Sequence, residues 1–273
     1  MVGREVSFTS DKSEAKPGEV VLRVEGLTVC NEVGYEAVND VSFEIHSGEI
    51  FALAGVSGNG QNELADAIAG LTKTKSGTIS LNGKDITSHS IRERIEEGVA
   101  YIPEDRQSVG LVLGFDLKNN LSLKEYYLPK MSHNSRLDLK AMEENGDRLI
   151  KDYDIRSSKG ITPIVRTMSG GNQQKAIIAR ELELKTPLII FMQPTRGLDI
   201  GAISNIHKQM IAERDRGAAV LLISLELDEI MVCADTIGVI FDGRINRIAK
   251  ASDLTIDEVG RFMMGVGNGG ESA

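Results

Sequence analysis

Residues 168–175 read Met168-Ser169-Gly170-Gly171-Asn172-Gln173-Gln174-Lys175, and 176–184 continue as a helix-forming run. A serine and two glycines at a helix start present a hydroxyl and unobstructed N–H groups, and the helix dipole favours an anion there. An ordinary capped helix is the alternative reading of the same residues. Downstream, 188–192 form an apolar run suited to a buried strand, which leads into Gln193-Pro194-Thr195-Arg196-Gly197-Leu198-Asp199. A second apolar run at 219–223 precedes Ser224-Leu225-Glu226-Leu227-Asp228-Glu229. Upstream, the strand-like 99–102 leads into Pro103-Glu104-Asp105-Arg106.

Further upstream, Gly55-Val56-Ser57-Gly58-Asn59-Gly60-Gln61-Asn62 follows a buried strand signal at 49–54 and opens a helix. Its glycines have the spacing of the phosphate-loop pattern G-x-x-x-x-G-K-[ST], in which backbone N–H groups turn inward around phosphate oxygens. Gln61 stands where that pattern has lysine, and Asn62 where it has the metal-binding hydroxyl. A plain glycine-rich turn is the competing reading. A nucleophile elbow centred on Ser57 fails, because Asn59 occupies the position of its last glycine.

Between these motifs, strand signals at 20–24, 41–45, 78–81, 236–241 and 244–248 alternate with helical stretches, which predicts an α/β fold with a mostly parallel sheet. The interval 105–167 has few β signals and a helix-forming stretch at 139–153, so it reads as a helical insert. Residues 1–19 read as a flexible leader and 265–273 as a flexible tail, with one domain spanning 20–264. The formal charge of −9 opposes general nucleic-acid binding and broad attraction to anionic lipid. No stretch approaches the ~18 apolar residues of a membrane span, so a link to a membrane would run through a partner. Cys30 and Cys233 make no disulfide framework, and a reducing cytoplasm is the simpler reading.

In order and spacing, these motifs resemble the ATP-binding domains of ABC transporters, over nearly all of 20–250. The runs Pro103-Glu104-Asp105-Arg106, Ser169-Gly170-Gly171-Asn172-Gln173-Gln174-Lys175 and Gln193-Pro194-Thr195-Arg196-Gly197-Leu198-Asp199 are similar to the second half of tandem subunits of simple-sugar and nucleoside importers. The resemblance implies an ABC ATPase (P-loop) core with a mostly parallel sheet, an antiparallel β subdomain and an inserted helical subdomain. Nucleotide would be bound by Gly55, Ser57, Gly58, Asn59, Gly60, Gln61, Asn62 and Tyr35. The signature would be Ser169, Gly170, Gly171 and Gln173, and the D-loop residue Asp199. Tyr35 is offset from the family's adenine-stacking aromatic, a position that holds Glu32.

Four further family positions also depart from the active pattern. Met192 replaces the Walker B aspartate, Gln193 the catalytic glutamate, Glu104 the Q-loop glutamine and Leu225 the switch histidine. With Gln61 and Asn62 they belong to one half-site, whereas the signature, which serves the opposite domain's ATP, is complete. The resemblance therefore implies no catalytic residue and little or no Mg²⁺ at this half-site. Its implied partners are the first nucleotide-binding domain of the same subunit and transmembrane permease subunits, with no nucleic acid, at the cytoplasmic face of the membrane. A non-transport ABC protein and a regulatory nucleotide-binding module are the competing functions. His46, His89, His133 and His207 lack metal-ligand spacing and read as surface or packing residues. Glu226, Asp228 and Glu229 read as dipole-favoured acids at a helix start, and Asp199 as both helix cap and D-loop residue.

Overall fold

The computed structural model describes residues 12–134 and 136–266. The chain begins with β1 (Val20–Cys30), β2 (Glu36–His46) and β3 (Glu49–Ala54), then helix α1 (Gln61–Ala69), β4 (Thr74–Leu81), β5 (Lys84–Asp85) and α2 (Ile91–Glu97). β6 (Val99–Ile102) leads into the helical region, with α3 (Leu117–Ser122), a small hairpin of β7 (Ser132–His133) and β8 (Arg136–Leu137), α4 (Leu139–Asp152) and α5 (Gly170–Glu183). The remainder alternates: β9 (Leu188–Met192), α6 (Ile200–Asp215), β10 (Ala219–Ser224), α7 (Leu227–Cys233), β11 (Thr236–Phe241), β12 (Arg244–Lys250) and α8 (Ile256–Met263).

Two principal sheets result. β2-β1-β4-β5 is antiparallel, and β12-β11-β3-β10-β9-β6 is parallel throughout except for the antiparallel β12. The second sheet is covered on both faces, so its central strands β3, β10 and β9 are apolar except for Glu49 and Ser224 at strand ends. Their period of two divides the core. Ile50, Ala52, Ile189, Phe191, Val220 and Leu222 face α5 and α6, while Phe51, Leu53, Ile190, Met192, Leu221 and Ile223 face α1 and the antiparallel sheet.

The strands at 49–54, 99–102, 188–192 and 236–241 coincide with the expected spans. β1, β2 and β4 run longer than their apolar runs, because irregular positions interrupt the alternation. Gly26 (φ +58°) and Asp40 (φ +54°) sit at such breaks, and the β1–β2 register shifts between Val24 and Leu27. Of the leader expected over 1–19, residues 1–11 lie outside the described residues, as do 267–273 of the tail. The part that is described lies against the body. Lys12 Nζ donates to the carbonyls of Cys233 and Ala234 and pairs with Asp235, and Arg214 donates to the Ser13 carbonyl. Cys30 and Cys233 are both free thiols, and burial pushes the Cys233 thiol up to about 12. Buried His207 packs α6 against α7 through Glu229, at 2.9 Å. No helix among the described residues is long and apolar enough to cross a membrane.

Candidate functional site

The loop 55–60 carries the chain from β3 into α1, and its glycines are required by contact as well as conformation. Gly58 and Gly60 have φ of +91° and +99°. A Cβ on Gly60 would stand 2.1 Å from the Ala37 carbonyl oxygen, and one on Gly55 would stand 2.9 Å from that of Ile240. The loop's polar side chains turn back onto its own backbone. Gln61, 3% exposed, donates from Nε2 to the Val56 carbonyl at 3.1 Å. Asn59 donates to the same carbonyl and accepts from the Asp242 N–H. Ser57 stays exposed.

The other departed positions converge on this loop from three strand ends. Met192, 2% exposed, closes β9 as a core residue in the same apolar cluster as Leu64 and Ile68 of α1. Gln193 turns the chain at φ +46° and donates its N–H to the Ile223 carbonyl. Leu225 follows β10, half-buried. Glu104, after β6, accepts from Asn62 Nδ2 at 3.4 Å on one oxygen and pairs with Arg196 on the other. Arg106 donates to the Arg196 carbonyl at 3.4 Å, and its guanidinium would lie 3.6 Å from a Cβ on Gly170. The sequence reading missed this Asn62–Glu104–Arg196–Arg106 chain. Its signal was a pair of oppositely charged residues in two motifs that flank adjacent parallel strands.

Mg²⁺ takes near-octahedral oxygen ligation, with one or two protein oxygens beside water and phosphate. Here Met192 offers none, Asn62 turns its amide N–H onto Glu104, and the Glu104 carboxylate is already neutralised by Arg196. So bonded, these three side chains offer few oxygens to a cation.

At the start of α5 the arrangement is open. Ser169 is the N-cap, yet its hydroxyl accepts no backbone N–H of the helix; Oγ accepts instead from the side-chain Nδ2 of Asn172 in the first turn, at 2.9 Å. Ser169 and Gly170 are exposed, and a Cβ on Gly171 would meet nothing within 4 Å. Gln173 differs: it is 1% exposed and turns inward, donating to the Val165 carbonyl. Asp199 caps α6 by accepting from the Ala202 N–H at 2.9 Å. Tyr35 is exposed at the β1–β2 turn. A cavity of about 780 Å³ beside α1 is lined by Glu32, Val33, Asn62, Glu63, Asp66 and Lys73 among others, and Tyr35 is not on its wall.

The family model described as "ABC transporter" matches residues 38–196, more than half of the chain. The chain belongs to the ABC transporter family. Among curated relatives of this ABC transporter domain, the guanosine import ATP-binding protein of Bacillus subtilis is 48% identical over 97% of the chain and 52% of its own length. The nucleoside import ATP-binding protein of Lactococcus lactis subsp. cremoris is 46% identical over 97% and 52%. The chain thus spans about half the length of these relatives. Among solved structures, an ATP-binding subunit of an ABC transporter superposes with TM-score 0.73 at 23% identity, over 89% of this chain and 99% of that one. An ATP-binding cassette in its ADP conformation gives 0.70 at 19%, over 90% and 96%. The fold is that of the ABC ATPase, with its P-loop core, antiparallel sheet and helical region.

Proposed function

We propose that this domain is the second nucleotide-binding domain of a bacterial nucleoside importer. It offers its signature to the ATP of a preceding domain, while its own loop binds nucleotide weakly and does not turn it over. One contrast carries the reading: Ser169 and Gly170 at the start of α5 are exposed and a Cβ on Gly171 would meet nothing within 4 Å, whereas Asn59 and Gln61 of the phosphate loop are bonded inward. The named relatives import guanosine and nucleosides, and they are twice as long as this chain, which leaves room for a first domain. Transmembrane permease subunits would be the other partners, with the domain peripheral at the cytoplasmic face.

The physical account is asymmetric. An anion at the α5 start gains charge-assisted contacts from Ser169 and the first-turn N–H groups. At the domain's own loop the lysine contact is missing, worth about 1.5–3 kcal/mol, and no carboxylate positions water. Hydrolysis by the assembled full-length protein tests this. Ser169→Arg or Gly171→Asp should abolish turnover, and Gln61→Ala should leave most of it. If Gln61→Ala proved as damaging as Gly171→Asp, the asymmetric reading would fall.

A further inference from the structure

Glu181 lies on α5 with 0% exposure, and a carboxylate so buried must be compensated. Its Oε2 accepts from Lys124 Nζ at 2.6 Å and from the Tyr101 N–H at 3.3 Å, and its Oε1 accepts from Arg180 Nε at 3.0 Å. Burial works to raise this carboxyl, but Lys124 and Arg180 outweigh it and hold it below the usual carboxylate range. Tyr101 lies on β6, the edge strand of the sheet, where an outward N–H has no neighbouring strand to serve. Glu181 serves it. On its other side the Tyr101 hydroxyl donates to Asp66 Oδ1 at 2.8 Å, on α1. Burial raises both the Asp66 carboxyl and the Tyr101 phenol, so this bond lies in a poorly solvated place.

A polar chain therefore runs from α1, which opens at the phosphate loop, through β6 to α5, which opens at the signature. Lys124 extends it to the segment after α3. Apolar side chains of similar volume would fasten α5 to β6 at least as firmly as an ion chain does. What charges and directed bonds add is a defined orientation.

We propose that Tyr101 and Glu181 are positioning residues, through which the state of α1 and its phosphate loop sets the orientation of the signature helix. The proposal rests on the reading that the start of α5 serves a partner's ATP. It is tested in the full-length protein assembled with its partners in lipid. Tyr101→Phe removes a single hydroxyl and keeps the backbone bond to Glu181. The kcat for ATP should fall about three- to tenfold, as loss of one hydrogen bond of ordinary net strength allows. KM should move by less than about twofold and the thermal midpoint by less than about 2 °C. Asp66→Asn combined with Tyr101→Phe should cost no more than the larger single effect. Amide exchange in the first turn of α5 should accelerate in Tyr101→Phe, a readout independent of turnover.

Wild-type kcat and wild-type exchange in Tyr101→Phe would overturn the proposal. So would a kcat loss that merely tracks a lowered thermal midpoint, since the chain would then be a fastening only. Gly171→Asp separates the two ideas. Normal turnover in that variant removes the underlying reading of the signature. An inactive Gly171→Asp beside an unaltered Tyr101→Phe removes this inference alone.

Discussion

Gly60 and Gln61 are adjacent and illustrate two kinds of constraint. Gly60 is held by space and by a left-handed backbone, with the Ala37 carbonyl oxygen 2.1 Å from where a Cβ would be. Gly60→Ala should therefore destabilise the domain by about 2 kcal/mol or more, read as a lowered denaturant midpoint at unchanged slope. Gln61 is held by a single hydrogen bond to the Val56 carbonyl. A lysine there would carry its charge to the same cradle, so Gln61→Lys should strengthen ATP binding about tenfold. Titration calorimetry on both forms decides it, and equal affinities would mean that the loop is no phosphate seat. The residue types at these positions were readable from the glycine spacing. That the Gln61 amide is folded inward was not, because it depends on which carbonyl a side chain finds after the loop has closed.

Among the elements, helices reward sequence reading where their caps are local. Asp199 was readable as the cap of α6, and it accepts from the Ala202 N–H. Asp199→Ala should cost about 1 kcal/mol in stability, visible in chemical denaturation of the domain. A much smaller cost would show that the residue matters only at an interface. Strands were legible where both faces are buried, as in β3, β9 and β11, since an unbroken apolar run admits few other readings. The outer halves of β1, β2 and β4 escaped detection because bulges and positive-φ residues break their alternation. The Tyr101–Glu181 link was invisible for a further reason: the two residues meet only after α5 folds back across the helical region.

Glu181 also gives α5 a pH signature. Its folded carboxyl titrates below the unfolded one, so its contribution to stability is complete above the unfolded carboxylate range. That contribution is lost as pH falls through the lowered folded value. Lys124→Met removes a cause of the lowering, so acid unfolding of the variant should begin at a higher pH than in the wild type. Circular dichroism against pH checks this, and an unchanged acid limb would mean that Arg180 alone holds the charge.

Across the whole molecule, the fold and the family were legible because five motifs come in one order, four at the ends of parallel strands and the signature at the start of α5. The proposed partner domain was less legible, since surfaces that would meet another domain carry no periodic signal. The isolated domain should show no magnesium-dependent ATP hydrolysis above background, with Met192, Gln193 and Leu225 at the positions that would support it. Steady turnover that survives repurification and responds to Gln193→Ala would refute this.

Met192 bears on descent as well as chemistry. It is buried in the apolar core that also holds Leu64 and Ile68, so an aspartate there alone would bury an unpaired charge. A lysine returned at 61 alone would find no metal ligands beside it, and Glu104 is already claimed by Arg196. On the proposed reading, a single return toward the active pattern is penalised at 192 and at 61 gains binding without turnover. If the half-site is inactive as proposed, the packing of β9 against α1 would act as a ratchet against its return.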